Sequence, residues 1–395
     1  MANISKRNYM VGVNPEILRW ARQKAGYSLE DVARAFGKKP EEIEMWEKGD
    51  EFPTYTQLDK IAYVLYKRPL ALFFFPEPPD ESDPKQSFRT LPDFEIDNLS
   101  QDTRYAIRKA QAMQIALSEL NGGINPSQQK IFRDIHIREK DDPRIVAKIL
   151  RQYLGISLED QFGWKNRENA LENWRNIVQD KGVFIFKRAF KQIDISGLCL
   201  VDQEFPIIYL NNGTAPSRQI FTIFHELTHV LLNSNGITKS NINYISYLVG
   251  DAKNIEMFCN QLAAEFLVPS EDFDRRIDTF DDVEKLIDVL AVKYKVSREV
   301  ILRKLLDRKL VSQSYYDEKS KEWNEQFQEM IQKRKEKKGG GDYYATQAVY
   351  LGDKYLSLAF SKYYQGHLNR DQLADYLNVK VKNVSALETT FLARA

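Results

Sequence analysis

The chain has 395 residues, with 57 Lys plus Arg against 56 Asp plus Glu, a formal charge of +1 and 43% hydrophobic residues. That length accommodates two or three domains with real cores, and the balanced charge announces neither a global field for nucleic acid nor a disordered acidic chain. Cys199 and Cys259, the only cysteines, are too few for a disulfide framework and are not spaced as a metal-binding pair. With the polar start Met1 to Tyr9, and apolar runs no longer than Leu70 to Phe75, the expectation is a cytoplasmic protein that does not enter a membrane.

Residues 13–76 read as a bundle of short helices, within a first domain expected over 1–76. Pro15 opens one that carries Ile17, Leu18, Ala21 and Ala25 and stops at Gly26. Ser28 caps a second with Leu29, Val32, Ala33 and Phe36, and Gly37 turns the chain. Pro40 starts a third with Ile43 and Trp46 inward and Gly49 at its end, and a fourth follows from Thr56. Helix, glycine turn, helix is the helix-turn-helix layout. The Trp46–Gly49 run WEKG followed by Pro53 resembles the XRE/Cro-type helix-turn-helix family, which implies a five-helix bundle binding DNA through its third helix. Lys38, Lys39 and Lys48 are the candidate backbone contacts. Against them stand Glu41, Glu42 and Glu44 on the outward positions of that helix, and 13–76 carries no net charge. DNA binding and protein docking both remain open for this bundle.

Residues 76–84, PEPPDESDP, can hold neither a helix nor a central strand, so 77–125 is expected to be a linker and helical connector, its helix lying at about 100–120. From 126 to 180 the pattern is helical, with one stripe at Ile145, Val146, Ile149, Leu150, Tyr153 and Leu154 and another at Leu171, Trp174, Ile177 and Val178. The period then changes. Val183–Lys187, Ile195–Val201 and Pro206–Leu210 read as three strands, and Asn211-Asn212-Gly213 makes a turn.

Directly after that turn, His225-Glu226-Leu227-Thr228-His229 lies in an apolar helical run. Histidines at i and i+4 share a helix face and can share a zinc ion, with the intervening glutamate placed as general base. A catalytic zinc takes three protein ligands and keeps one position open. The segment Asp251–Ser270 reads as one helix ended by Pro269. Its Glu256 shares a face with Asn260, Ala263, Ala264 and Leu267, small enough to allow close packing on a second helix. Glu265, nine residues on, points about 180° away, and Asp251 is explained by the helix dipole. Glu256 is therefore the expected third metal ligand, beside His225 and His229. Glu226 is the expected catalytic base, taking a proton from water and passing it to the leaving amine. Arg218 stands where a cation opposes the helix dipole and needs a partner, as a structural ion pair or an oxyanion donor. Tyr244 and Tyr247 are weaker oxyanion candidates, and His136 and His367 lack ligand spacing.

The runs R-x-x-F-T-x-x-H-E-L-x-H, Arg218 to His229, and E-x-x-x-N-x-x-A-A-x-x-L-x-P, Glu256 to Pro269, are similar to the ImmA/IrrE family of zinc metallopeptidases. Thr228 departs from that pattern, where glycine is common. The resemblance covers about 126–270 and implies a zincin-like peptidase domain, placed here at 126–312 with its helical extension. A charged helix and flexible hinge are expected at 313–341, from Trp323 to the Gly339–Gly341 run, and a small helical module at 342–395. The expected fold class is thus α+β, predominantly helical. The order of modules is similar to fused members of the family, which implies cleavage of a specific protein regulator, a repressor or antitoxin-like partner, in a stress, phage or mobile-element response. The alternative expectation is a DNA- or protein-binding regulator or antitoxin, partner to a toxin, whose peptidase fold is a docking platform.

Overall fold

The computed structural model describes residues 9–81, 84–239, 242–277, 282–336 and 341–394. It divides into two compact units, Met1–Ser87 with Asp93–Lys109, and Phe88–Pro92 with Ala110–Ala395. Of the hinge expected at 339–341 only Gly341 falls among the described residues.

In the first unit, helices Pro15–Ala25, Leu29–Phe36 and Pro40–Lys48 surround Ile17, Leu18, Ala21, Val32, Ala33, Ile43 and Trp46. A fourth, Tyr55–Asp59, runs straight into a π-helical stretch, Lys60–Tyr66, before a short 3-10 turn at Leu70–Phe74. Ser28 and Thr54 close capping boxes, and Gly26, Gly37 and Gly49 end the first three helices with left-handed backbones. The glutamate of the WEKG run has a structural task. Glu47 is buried and accepts from Arg22 at 2.6 and 2.9 Å, so the third helix is bolted to the first.

The second unit is built on a four-stranded sheet, β1 (Phe184–Arg188), β2 (Ile195–Leu200), β3 (Ile207–Asn211) and β4 (Gly236–Lys239), in the order β1-β3-β2-β4. β1 and β3 are parallel, and the β2–β3 and β2–β4 pairs are antiparallel. Three of these were expected, and β4 was not. It is only four residues long and opens on a glycine, too short for an alternating pattern to register. The helix Pro216–Leu231 lies against the sheet, and Gly197 of β2 is one place where the two approach closely. A Cβ there would lie 2.7 Å from Thr222 Cγ2 and 3.1 Å from the Tyr209 carbonyl oxygen.

Next to that helix packs Gly250–Leu267, which rests on Pro143–Leu154, while Pro216–Leu231 rests on Arg167–Asp180. The apolar face of Pro143–Leu154 is Val146, Ala147, Leu150 and Leu154, whereas Ile145 and Ile149 of the expected stripe face outward. Trp174 is the hub. Its ring centroid lies 4.7 Å from Trp164, 4.9 Å from Phe224 and 5.4 Å from Phe266, and the last two stack at 4.1 Å. Phe224 immediately precedes His225, so this cluster fixes the rotation of one metal-candidate helix against the other. Trp174→Ala is expected to cost about 3–5 kcal/mol, the range for a large aromatic removed from a core, read as a shift in the urea midpoint. Buried Gln161 clips the far end of Gly250–Leu267, donating to the carbonyls of Leu267 (3.0 Å) and Tyr294 (2.8 Å).

Residues 342–394 form helices Tyr343–Leu351, Asp353–Tyr364, Arg370–Tyr376 and Val384–Leu392, and they cover the β1 edge. The buried side chain of Arg175 ties them down. It donates to the Ile185 carbonyl of β1 through Nε (2.8 Å) and to the Val349 carbonyl through Nη1 (2.7 Å), near the C-terminal end of Tyr343–Leu351, where a cation suits the dipole. Phe186 of β1 meets Tyr355 edge-on at 5.3 Å. Among the described residues no helix is long and apolar enough to cross a membrane.

Candidate metal centre

Pro216 starts the helix that carries His225, Glu226 and His229, and from Gln219 to Leu231 every residue of it is buried. Thr228, in the glycine position of the pattern, returns its hydroxyl to the Phe224 carbonyl at 2.8 Å and so fits the helix interior. His225 and His229 are fully buried, with their Nε2 atoms 3.2 Å apart. Glu256 reaches across from the neighbouring helix. Its Oε2 lies 3.4 Å from His225 Nε2 and its Oε1 3.2 Å from His229 Nε2, and it too is wholly buried.

These separations test the fit to a metal. Two imidazole nitrogens bound to one tetrahedral zinc at 2.0–2.1 Å are roughly 3.3 Å apart, and a carboxylate oxygen takes a similar distance from each. In the protein alone, three buried polar atoms of these side chains, Glu256 Oε1, Glu226 Oε2 and His229 Nδ1, are left without a hydrogen bond. A divalent cation reconciles such a set, so the residues present fit one.

The surroundings orient the ligands. Asn260, one turn beyond Glu256, spends its Nδ2 on the Glu256 carbonyl at 3.0 Å, which turns its Oδ1 to His225 Nδ1 at 3.2 Å. His225 therefore carries its proton on Nδ1 and presents a free Nε2 lone pair to the ion. Tyr244 donates to Glu256 Oε2 at 2.6 Å and is itself buried. Of the two tyrosines named from the sequence, this one reaches the site, whereas Tyr247 is exposed. Thr238 of β4 donates its hydroxyl to Glu226 Oε1. Gly236, also of β4, lies flat on the site, where a Cβ would come within 2.7 Å of His229 Cδ2 and 2.8 Å of Glu226 Oε2. Arg218 sits partly buried in the first turn of its helix, two turns before His225.

The electrostatics follow from this packing. Burial alone would raise the Glu256 carboxyl, but the charge and hydrogen bonds of His229 and His225 outweigh it and hold it well below the usual range. Burial would lower His229, yet Cys259 and Glu256 beside it leave it well above its ordinary value. Burial and Glu256 push the Tyr244 phenol up, which keeps it a donor. Glu265, the acid rejected on the helical wheel, pairs with buried Lys304 at 2.7 Å.

Some of the surroundings escaped the sequence. A ring nitrogen of each histidine and Sγ of Cys259 all lie within 4.8 Å of one another. Cys259 is three residues after Glu256 on its helix, a spacing that puts it beside the ligand face. Thr238 and Gly236 carried no signal at all. Of the candidate DNA contacts in the first unit, Lys38 is ion-paired with Glu42 and Lys48 with Glu44 at 2.8 Å, while Lys39 is exposed.

Residues 178–306 match the family model of the IrrE N-terminal-like domain, Peptidase_M78, and residues 18–65 match a helix-turn-helix model, HTH_3. The radiation response metalloprotease IrrE of Deinococcus deserti is 32% identical over 109 residues, 27% of this chain and 38% of that protein. Its counterpart from Deinococcus radiodurans is 28% identical over 107 residues, 27% of this chain and 33% of that protein. The chain thus spans little more than a third of the length of these relatives. The resemblance read from Arg218–His229 and Glu256–Pro269 is borne out by these matches.

Proposed function

We propose that this chain, whose residues 178–306 match the IrrE-like peptidase domain, is a zinc-dependent endopeptidase acting on a protein substrate. The observation that carries this reading is the convergence of His225, His229 and Glu256 at metal-ligand separations with Glu226 beside them. Zinc, when bound, supplies a Lewis acid that polarises the scissile carbonyl and acidifies water. His225, His229 and Glu256 hold it. Glu226 Oε2, buried and otherwise unpartnered, accepts the proton of the hydrolytic water and delivers it to the leaving amine. Thr238 fixes the other oxygen of Glu226, so the base meets the water in one orientation. Arg218 is proposed to act as a structural ion-pair partner. The substrate is proposed to be a regulator, a repressor or antitoxin-like protein, met in the cytoplasm. Casein serves as the test. The zinc-loaded chain is expected to cleave it, to stop after chelation and to recover on adding zinc. Cleavage that survives complete chelation rules the reading out.

For the helix-turn-helix unit the Lys38–Glu42 and Lys48–Glu44 pairs favour a protein partner over strong duplex binding, because both cations are already neutralised. The second reading is a regulator or antitoxin beside a toxin that uses the peptidase fold for docking. The set around Glu226 favours chemistry, since a scaffold has no use for a general base. Binding of a duplex from the native locus is expected only at low salt. With Lys38, Lys39 and Lys48 as its contacts, log K against log salt has a slope no steeper than about −3, easing by about 0.9 in Lys39→Ala. A slope near −8 would mean a basic surface other than these lysines.

A further inference from the structure

We infer that Cys259 is a fourth protein ligand of the same metal, so that the resting centre is closed by His225, His229, Glu256 and Cys259. The inference rests on the metallopeptidase reading and adds its regulation. Sγ of Cys259 and one ring nitrogen of each histidine already fall within 4.8 Å of one another, against roughly 3.5 Å for such atoms on a tetrahedral zinc. The thiol belongs to the helix that carries Glu256 and is fully buried among site groups. His229 is the site group that the thiol meets most closely in charge and hydrogen bonding. Cys199 lies beside Glu226 rather than with the two histidines, and its thiol is directed to the Ser234 carbonyl at 3.7 Å.

Four protein ligands make a structural zinc site, and three with an open position make a catalytic one. On metal binding the Cys259 S–H bond breaks, a sulfur–metal bond forms and the proton leaves to solvent. In that state no position is left for the hydrolytic water. When the thiolate withdraws it regains a proton, and the fourth position opens. The centre is also sealed sterically, with His225, Glu226, His229 and Glu256 all wholly inaccessible. Latency is thus written into the metal's own coordination as well as its cover.

The full-length chain loaded with cobalt(II) in place of zinc reports the ligands directly. The wild type is expected to bind cobalt stoichiometrically and to show a strong near-ultraviolet thiolate-to-cobalt charge-transfer band. Cys259→Ser, and independently Cys259→Ala, should keep cobalt and its tetrahedral visible bands but lose the charge-transfer band. Their casein hydrolysis should rise above the wild type, where a merely structural thiol would lower it. Cobalt bound by the wild type without that band overturns the inference alone and leaves Cys259 as a buried neighbour of His229. A band that persists in both variants overturns it equally. Failure of wild type and variants alike to bind cobalt overturns the metallopeptidase reading as well.

Discussion

Glu226→Gln is expected to retain zinc and lose peptide hydrolysis by about 10²–10⁴-fold, the usual worth of a general base. The two side chains are nearly isosteric, and the amide oxygen can still accept from Thr238, so the helix and the three ligands stay in place. What disappears is the carboxylate character of Oε2, the buried oxygen without a hydrogen-bond partner. Casein turnover and metal content, measured on the same sample, separate the two effects. Undiminished turnover in this variant would remove Glu226 from the mechanism. Because it should still bind what it cannot cut, the same variant is the natural trap for the physiological substrate.

Glu256 and Glu265 give the second contrast. They lie nine residues apart on one helix, and their loss is expected to do opposite things. Glu256→Ala takes away a metal ligand, leaves Tyr244 without its acceptor and should abolish stoichiometric zinc. Glu265→Ala should keep zinc but strand Lys304, which is buried and bonded to it at 2.7 Å. Removing one partner of a buried pair costs about 3–5 kcal/mol, seen as a lower urea midpoint. If zinc were instead lost from Glu265→Ala and kept by Glu256→Ala, the ligand assignment would be reversed.

The helical wheel separated these two glutamates without a structure because both stand on one long regular helix, where spacing alone gives direction. The same logic put His225 and His229 on a common face. It was less decisive where two apolar stripes run side by side. Ile145 and Ile149 lie one position from Val146 and Leu150, about 100° round the helix, and only the partner elements select which pair goes inward. Contacts between distant segments had no local signature. Thr238 reaches Glu226 from a four-residue strand formed only because β2 offers an edge, and Tyr244 reaches Glu256 from a 3-10 turn. Cys259 had helical spacing in its favour, but the sequence considered it only with Cys199. Its neighbours turn out to be histidines. Glu47 is a similar case, because its place in the core depends on Arg22 of a different helix.

Everything said of the chemistry depends on His225, His229 and Glu256 holding one ion. Metal content by atomic emission, on the full chain after dialysis against metal-free buffer, tests this most directly. A single zinc per wild-type chain, absent from both His229→Ala and Glu256→Ala, is the expected result. A folded wild-type chain that takes up no zinc, or a His229→Ala variant that keeps its full complement, would contradict it.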